Sequence, residues 1–509
     1  MMNNSFGFSL SMTNSRRIVA KWISVLACLC INGCATGPDF SSPAPPKVDR
    51  YTTKASIPQT AATPVAGGEA QTFAAGEQTP RQWWTLFGSE QLNSLVNQAV
   101  KNNPNVARAQ AALRQAQETL NAGYGNQYPG VDARLSGQRQ KASGAVLGLP
   151  ANSTSIFNLY NASVNVSYDL DIFGGVRRSL EAEKSVVEYQ QFELQATYQT
   201  LAANVVTSAI AEASLRAQVA AAEDIFGAEE KQLKIVETQF ELGSVSRAEV
   251  LGARSSLAST QASLVQLEKQ LSARQNQLAA YLGKFPSEWE STGLALEGLT
   301  LPQNIPLTLP SELVRRRPDV RAAEALLHQA SAQIGVATAA MFPKIALSAG
   351  YGAQSTQWHN LFDDNVWSLG AAITQPLFHA GTLAAQKRAS IAAYDQAMAN
   401  YRQTVLTAFS NVADTLNALD ADARILLAQH NAMTAARGSL DLVQAQFKLG
   451  STSYLELLIS QRQYQQTRIA YLQALASRYQ DTAALCQALS GSMTDEMPPD
   501  SPQVTIGAR

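Results

Sequence analysis

Gln239-Phe240-Glu241-Leu242-Gly243-Ser244 recurs as Gln446-Phe447-Lys448-Leu449-Gly450-Ser451, 207 positions further along. The echo continues past the repeated stretch, where Glu249 and Leu251 reappear as Glu456 and Leu458. Upstream, Pro104-Asn105-Val106 is answered by Pro318-Asp319-Val320, and Tyr128-Pro129 by Phe342-Pro343, both 214 positions apart. One unit has been duplicated, with an insertion or deletion between the copies. Helical solenoids repeat every 20 to 50 residues or about that, so a period this long means two copies of a whole subdomain.

The repeated stretch ends the longest helical patterns in the chain, Ser179 to Leu242 and Thr382 to Leu449. Neither contains proline, and each holds one glycine, Gly227 and Gly438. At a rise of about 1.5 Å per residue each extends roughly 95 to 100 Å, far beyond an ordinary globular helix. Alanines such as Ala217, Ala220, Ala221 and Ala222 favour helix and let neighbours approach closely. A return helix follows each tip, to about Leu282-Gly283 and to Leu489.

Before each long helix the period switches to two. Tyr160, Ala162, Val164, Val166, Tyr168 and Leu170 alternate with Asn161, Ser163, Asn165, Ser167 and Asp169, and Val131, Ala133 and Leu135 alternate with Asp132, Arg134 and Ser136. The second copy answers with Ile345, Leu347, Ala349 and Tyr351, then Trp367, Leu369, Ala371 and Ile373. These are two-faced strands, one hairpin per copy. No segment after residue 34 holds 18 consecutive apolar residues, which excludes a transmembrane helix and leaves only the strands to cross a bilayer. A membrane sheet must close on itself, and familiar barrels need about eight strands. Four per chain are too few, so the pattern demands an oligomer. A soluble coiled-coil rod carrying a small sheet is the bland alternative.

The rest of the chain narrows the function. Formal charge is −1. Residues 1–33 contain Arg16, Arg17 and Lys21 but no acid, leaving about −4 on a chain that starts at Cys34, and nothing points to nucleic acid. Arg16, Arg17 and Lys21 precede a short apolar run, Trp22 to Ile31, in the manner of an export signal. Ile31-Asn32-Gly33-Cys34 resembles the lipobox of bacterial lipoproteins, which predicts N-acyl and S-diacylglycerol groups on Cys34. Three of the four cysteines, Cys28, Cys30 and Cys34, crowd this region, so no disulfide framework is expected, and Cys486 reads as a small buried apolar residue. Walker, HExxH, GxSxG and dinucleotide motifs are absent and the four histidines are scattered, so neither an enzyme nor a metal centre is expected.

Taken in order, several motifs are highly specific together. They are Cys34-Ala35-Thr36-Gly37-Pro38-Asp39-Phe40, Asn103-Pro104, Asp171-Ile172-Phe173-Gly174-Gly175, Arg317-Pro318-Asp319-Val320-Arg321, Gln375-Pro376-Leu377-Phe378, and the two tips. From Cys34 to about Gly491 the chain resembles the TolC-like outer-membrane efflux channels, in the lipoprotein branch of OprM/NodT type that serves RND systems. The resemblance implies an α+β membrane protein: a trimeric twelve-stranded outer-membrane β-barrel, four strands per chain, continuous with a long periplasmic α-helical barrel. It implies partners too, a periplasmic adaptor protein, an inner-membrane RND pump and outer-membrane lipid, with no cofactor beyond the lipid on Cys34. A duct for type I protein secretion is the nearest alternative within that class.

The expected organisation is a signal peptide at 1–33 and a lipidated tether at 34–82. A first repeat follows at 83–299, with hairpin 131–171 and helical hairpin 179–283. The second spans 300–491, with hairpin 344–377 and helical hairpin 382–489, and 492–509 forms a tail. Ser246-Arg247-Ala248-Glu249 and Ser453-Tyr454-Leu455-Glu456 both have capping-box spacing. By resemblance, Leu455, Glu456, Ile459, Arg462 and Glu249 belong to a periplasmic aperture, with Ile459 standing where the family pattern has aspartate. The adaptor-docking tips would be Leu242-Gly243-Ser244-Val245 and Leu449-Gly450-Ser451-Thr452.

Overall fold

The computed structural model describes residues 35–53, 58–143, 150, 154–290 and 293–490. The signal peptide, Cys34 and the tail at 492–509 lie outside them. In the first half come helices α1 (Glu90–Asn102) and α2 (Pro104–Gly125), strands β2 (Gly130–Ser143) and β3 (Thr154–Leu170), then α3 (Gly175–Glu241) and α4 (Arg247–Tyr281). The second half has α5 (Pro310–Arg316) and α6 (Pro318–Ala339), β5 (Lys344–Ser355) and β6 (Asn365–Thr374), and α7 (Thr382–Lys448) and α8 (Tyr454–Leu489). Short strands β1 (Thr72–Ala75) and β4 (Asn304–Leu307) complete the set. The duplication is visible in the lengths: α2 and α6 are 22 residues each, and α3 and α7 are 67 each. Asn103 shows why its motif works, since its side-chain oxygen accepts from Asn105 N at 2.8 Å while Pro104 opens α2 without needing a donor.

Chain contacts divide the protein into two compact units that cut across the repeats. Of the described residues, one comprises 35–42 with Gln115–Glu188 and Ala325–Ala399; the other takes Pro43–Arg114, Tyr189–Glu324 and 400–490. The two copies therefore do not fold as separate bodies. The reason is strand pairing: the four long strands form one antiparallel sheet in the order β2-β3-β5-β6, and the β3–β5 pair joins the copies.

In the first unit, register carries the alternation across all four strands. Ala133, Val164, Tyr351 and Trp367 form one row, and Val131, Val166, Ala349 and Leu369 the next. The opposite face reads Asp132, Asn165, Gly350 and Ser368, then Arg134, Ser163, Gly352 and Val366. The first face is thus apolar through both rows, and the second is mostly small or polar, with Val366 its one large apolar member in these rows. Trp367 and Leu369 are about three-quarters exposed at 74% and 77%. At Gly352 a Cβ would stand 2.2 Å from the Ala162 carbonyl oxygen, so only glycine fits there. Strands β2 and β6, of 14 and 10 residues, are edges with one partner each.

The second unit corrects the tether reading. Residues 59–75 are docked, not free: β1 pairs in parallel with β4, and fully buried Gln71 donates to Pro302 O at 3.0 Å and Thr482 Oγ1 at 3.1 Å. Arg478, also fully buried, donates from Nη2 to Glu69 O at 2.6 Å and Thr60 Oγ1 at 3.2 Å. These are polar and main-chain bonds, which a search for apolar periodicity does not register. Beneath them lies a core built on Trp83, Phe87, Val205, Ile210, Leu278 and Tyr479. Cys486 is buried within it, and burial pushes its thiol up to about 12.

Burial first, and then the Asp481 carboxyl beside it, pushes Asp422 up to about 7 against the pull of Arg478. An acid whose folded pKa is raised adds stability that is full below its unfolded value near 4 and fades as pH rises through about 7. Raising pH from about 5 to about 8 should therefore lower the thermal midpoint of the wild-type protein. In Asp422→Asn that part of the pH dependence should vanish in a calorimetric series.

Candidate functional site: the helical tips

Each long helix stops on a glycine in the left-handed region, Gly243 at φ 75° and Gly450 at φ 70°. The carbonyls left over are closed in the Schellman pattern. Ser244 N donates to Gln239 O at 2.9 Å and Gly243 N to Phe240 O at 2.9 Å; Ser451 N donates to Gln446 O and Gly450 N to Phe447 O, both at 3.0 Å. The repeated six-residue stretch is thus a helix stop written twice.

The helix starts that follow differ, against the shared spacing. At the first tip the capping box is complete: Glu249 N donates to Ser246 Oγ at 3.4 Å, and Ser246 N donates to Glu249 Oε2 at 2.6 Å. At the second, Glu456 N donates to Ser453 Oγ at 3.2 Å, but the Glu456 carboxylate accepts from Thr452 Oγ1 at 2.5 Å. The box expected there is half formed. A threonine at 452, where the first tip has Val245, supplies a hydroxyl that competes for the carboxylate.

Beneath the loops Val236, Val250, Ala253, Leu440, Val443, Tyr454, Leu457 and Leu458 form a small core, with Val245 and Phe447 packed against it. This core fixes which side of α8 faces out. Tyr454, Leu457, Leu458 and Gln461 point inward, whereas Leu455, Glu456, Ile459 and Arg462 are exposed along one stripe. The four aperture candidates of α8 therefore share a face, and Glu249 is engaged in its cap on α4. Leu242 and Leu449, at 79% and 83% exposed, stand at the ends of the loops.

Three features of this region were not singled out in the sequence. Buried Glu229 accepts from Ser256 Oγ at 3.0 Å, and burial, then the Glu229 charge, pushes Tyr454 up to about 12. Arg437 donates to Tyr464 Oη at 3.2 Å with its guanidinium 5.6 Å from the ring centre. Arg254 bonds Glu237 across the first hairpin at 2.8 Å. Only Arg437 left a local trace, through Asp441 one helical turn on. Among the described residues no group of three or more His, Cys, Asp or Glu could hold a metal ion, and no helix is long and apolar enough to cross a membrane.

Comparison with known proteins concerns the chain as a whole. The profile of the family described as outer membrane efflux protein matches residues 95–284 and 309–491, one match in each repeat. The chain is similar to the pyoverdine export outer membrane protein OpmQ of Pseudomonas aeruginosa, with 30% identity across 81% of this chain and 87% of that one. It is 26% identical to the probable outer membrane lipoprotein SilC of Salmonella typhimurium across 93% and 99% of the two chains. Among solved structures it superposes on the outer-membrane channel OprN with a TM-score of 0.79 and 26% identity, covering 90% of this chain and 99% of that one.

The unequal caps give unequal sensitivities. Glu249→Ala should cost the start of α4 roughly 0.5 to 1 kcal/mol, seen as faster amide exchange over residues 246–250. Glu456→Ala should leave exchange over residues 453–457 nearly unchanged.

Proposed function

The chain belongs to the outer membrane efflux protein family, and from that premise we propose that three copies close a twelve-stranded barrel that forms the exit duct of an RND-type efflux system. It is an outer-membrane channel, not an enzyme. One observation carries closure by several copies: among the described residues the sheet is apolar over one face and ends in two unpaired edges, while the number three is what the family resemblance implies. Each peptide group left unpaired in hydrocarbon costs several kcal/mol. Edges of 14 and 10 residues cannot be left open there, and pairing β2 of one copy with β6 of the next satisfies both. The apolar rows then face lipid, and the Ser, Asn and Gly rows line water.

The long helical hairpins form the periplasmic duct in this reading. Their tips, Leu242-Gly243-Ser244-Val245 and Leu449-Gly450-Ser451-Thr452, dock the adaptor, and exposed Leu242 and Leu449 suit that contact. The stripe of Leu455, Glu456, Ile459 and Arg462, with Glu249 nearby in the fold's other tip, forms the aperture. Glu456 is the acid of the α8 stripe, and its carboxylate accepts from Thr452 Oγ1 and not from the Ser453 backbone. Three copies around an axis disfavour tight closure and favour cations. Cys34 carries the N-acyl and S-diacylglycerol anchor, a reading supported by the likeness to a probable lipoprotein. A passive duct leaves the choice of exported compound to the pump.

Two measurements test this. A charge on the apolar face, Val164→Arg, should destabilise insertion by about 2 to 4 kcal/mol and abolish the detergent-resistant trimer, whereas Ser348→Arg on the opposite face should leave it. In planar bilayers the wild-type pore should prefer cations and Glu456→Ala should lose that preference. An unchanged preference removes Glu456 from the aperture.

A further inference from the structure

Two motifs remain without a role: residues 35–40 at the start of the mature chain and Asp171-Ile172-Phe173-Gly174-Gly175 at the end of β3. The fold brings them together. Thr36 donates to Phe173 O twice, from its backbone N at 3.1 Å and its hydroxyl at 3.0 Å. Arg178, at the start of α3 and only 5% exposed, donates from Nε to Thr36 O at 3.2 Å and from Nη2 to Asp39 Oδ1 at 2.6 Å. Its other amine donates to Glu181 Oε2 at 2.7 Å, and Glu181 Oε1 in turn meets His328 Nε2 at 2.9 Å. Phe40 stacks on the His328 ring with centroids 4.3 Å apart and planes inclined 15°.

Glycines make the room for this. A Cβ on Gly37 would stand 2.5 Å from Gly335 Cα, one on Gly335 2.8 Å from Thr36 O, and one on Gly174 2.7 Å from Ala35 Cα. Gly37 and Gly174 also have φ of +98° and +76°. Segment and groove are therefore fitted backbone to backbone. Burial alone would raise Glu181, but hydrogen bonds and charge from Arg178 and His328 outweigh it and hold the carboxyl below its ordinary range.

We propose that residues 35–42 are a clamp that fixes the acylated amino terminus where β3 passes into α3, with Arg178 as its positioning residue, so that lipid and sheet enter the bilayer in one register. This rests on the reading of Cys34 as the lipid anchor. Ala35, which follows Cys34 directly in the chain, is held against Gly174, so the anchor is joined to a fixed segment. Released, eight flexible residues would let the anchor roam over about 16 Å, half the hydrocarbon thickness of about 30 Å. A roaming anchor gives the membrane no information about the depth of the sheet.

The test uses the full-length protein. Palmitate labelling reports the anchor by itself: no label on wild-type protein overturns the lipid reading and leaves the clamp to be judged by exchange. Amide exchange over residues 35–42 reports the clamp. Arg178→Ala, and separately the pair Asp39→Ala with Phe40→Ala, should speed it about 10-fold or more, leaving the sheet peptides and the label unchanged. Equal exchange in wild type and variants overturns the clamp. Trimer yield in the outer membrane reports the coupling. Arg178→Ala should lower it several-fold and Arg178→Lys should restore part of the loss, but in a Cys34→Ser background Arg178→Ala should have no further effect. An equal loss in both backgrounds makes Arg178 merely structural and overturns its role in placing the lipid.

Discussion

A peptide group facing hydrocarbon has nothing to bond but another peptide group. The long strands of this chain satisfy that rule between neighbours but leave it open along β2 and β6. The proposal that copies join edge to edge follows from those two edges. The apolar rows through Val164 and Tyr351 and the polar rows through Asn165 and Gly350 give the sheet a lipid side and a water side. In a soluble body such a face would need a cover, whereas the rows around Trp367 and Leu369 are bare.

The duplication has a similar logic. A sheet of two strands is marginal on its own, and the copies meet through β3 and β5 to make four. This explains why compact units and repeats do not coincide. Where the copies remain alike, a local rule repeats, as in the glycine stops at Gly243 and Gly450. They diverge where position differs, and the clearest case is the pair of glutamates: Glu249 closes its own helix start, while Glu456 turns to Thr452.

Polar contacts do much of the holding outside the sheet. Gln71 and Arg478 pin a segment that lacks apolar pattern, and Arg178 gathers Thr36, Asp39 and Glu181 around one guanidinium. A buried arginine left without such partners is strongly destabilising, so each of these sites specifies its neighbours closely. Glycine plays the complementary part at Gly37 and Gly335, where any side chain would block the approach.

The sequence by itself determined the two-faced strands, the two long helices, the tips that end them and the duplication relating them. The first three rest on period and cap chemistry, carried by residues a few positions apart, and the duplication on the recurrence of the same motifs 207 and 214 positions along. Only the tertiary structure decided that β3 pairs with β5, that residues 59–75 are docked and not free, that Glu456 leaves its cap, and that residues 35–40 fit the groove at Gly174 and Gly335. Their partners lie far off in the chain, apart from Thr452, which wins a choice between two local hydrogen bonds. Spacing alone records neither a distant neighbour nor the outcome of such a competition.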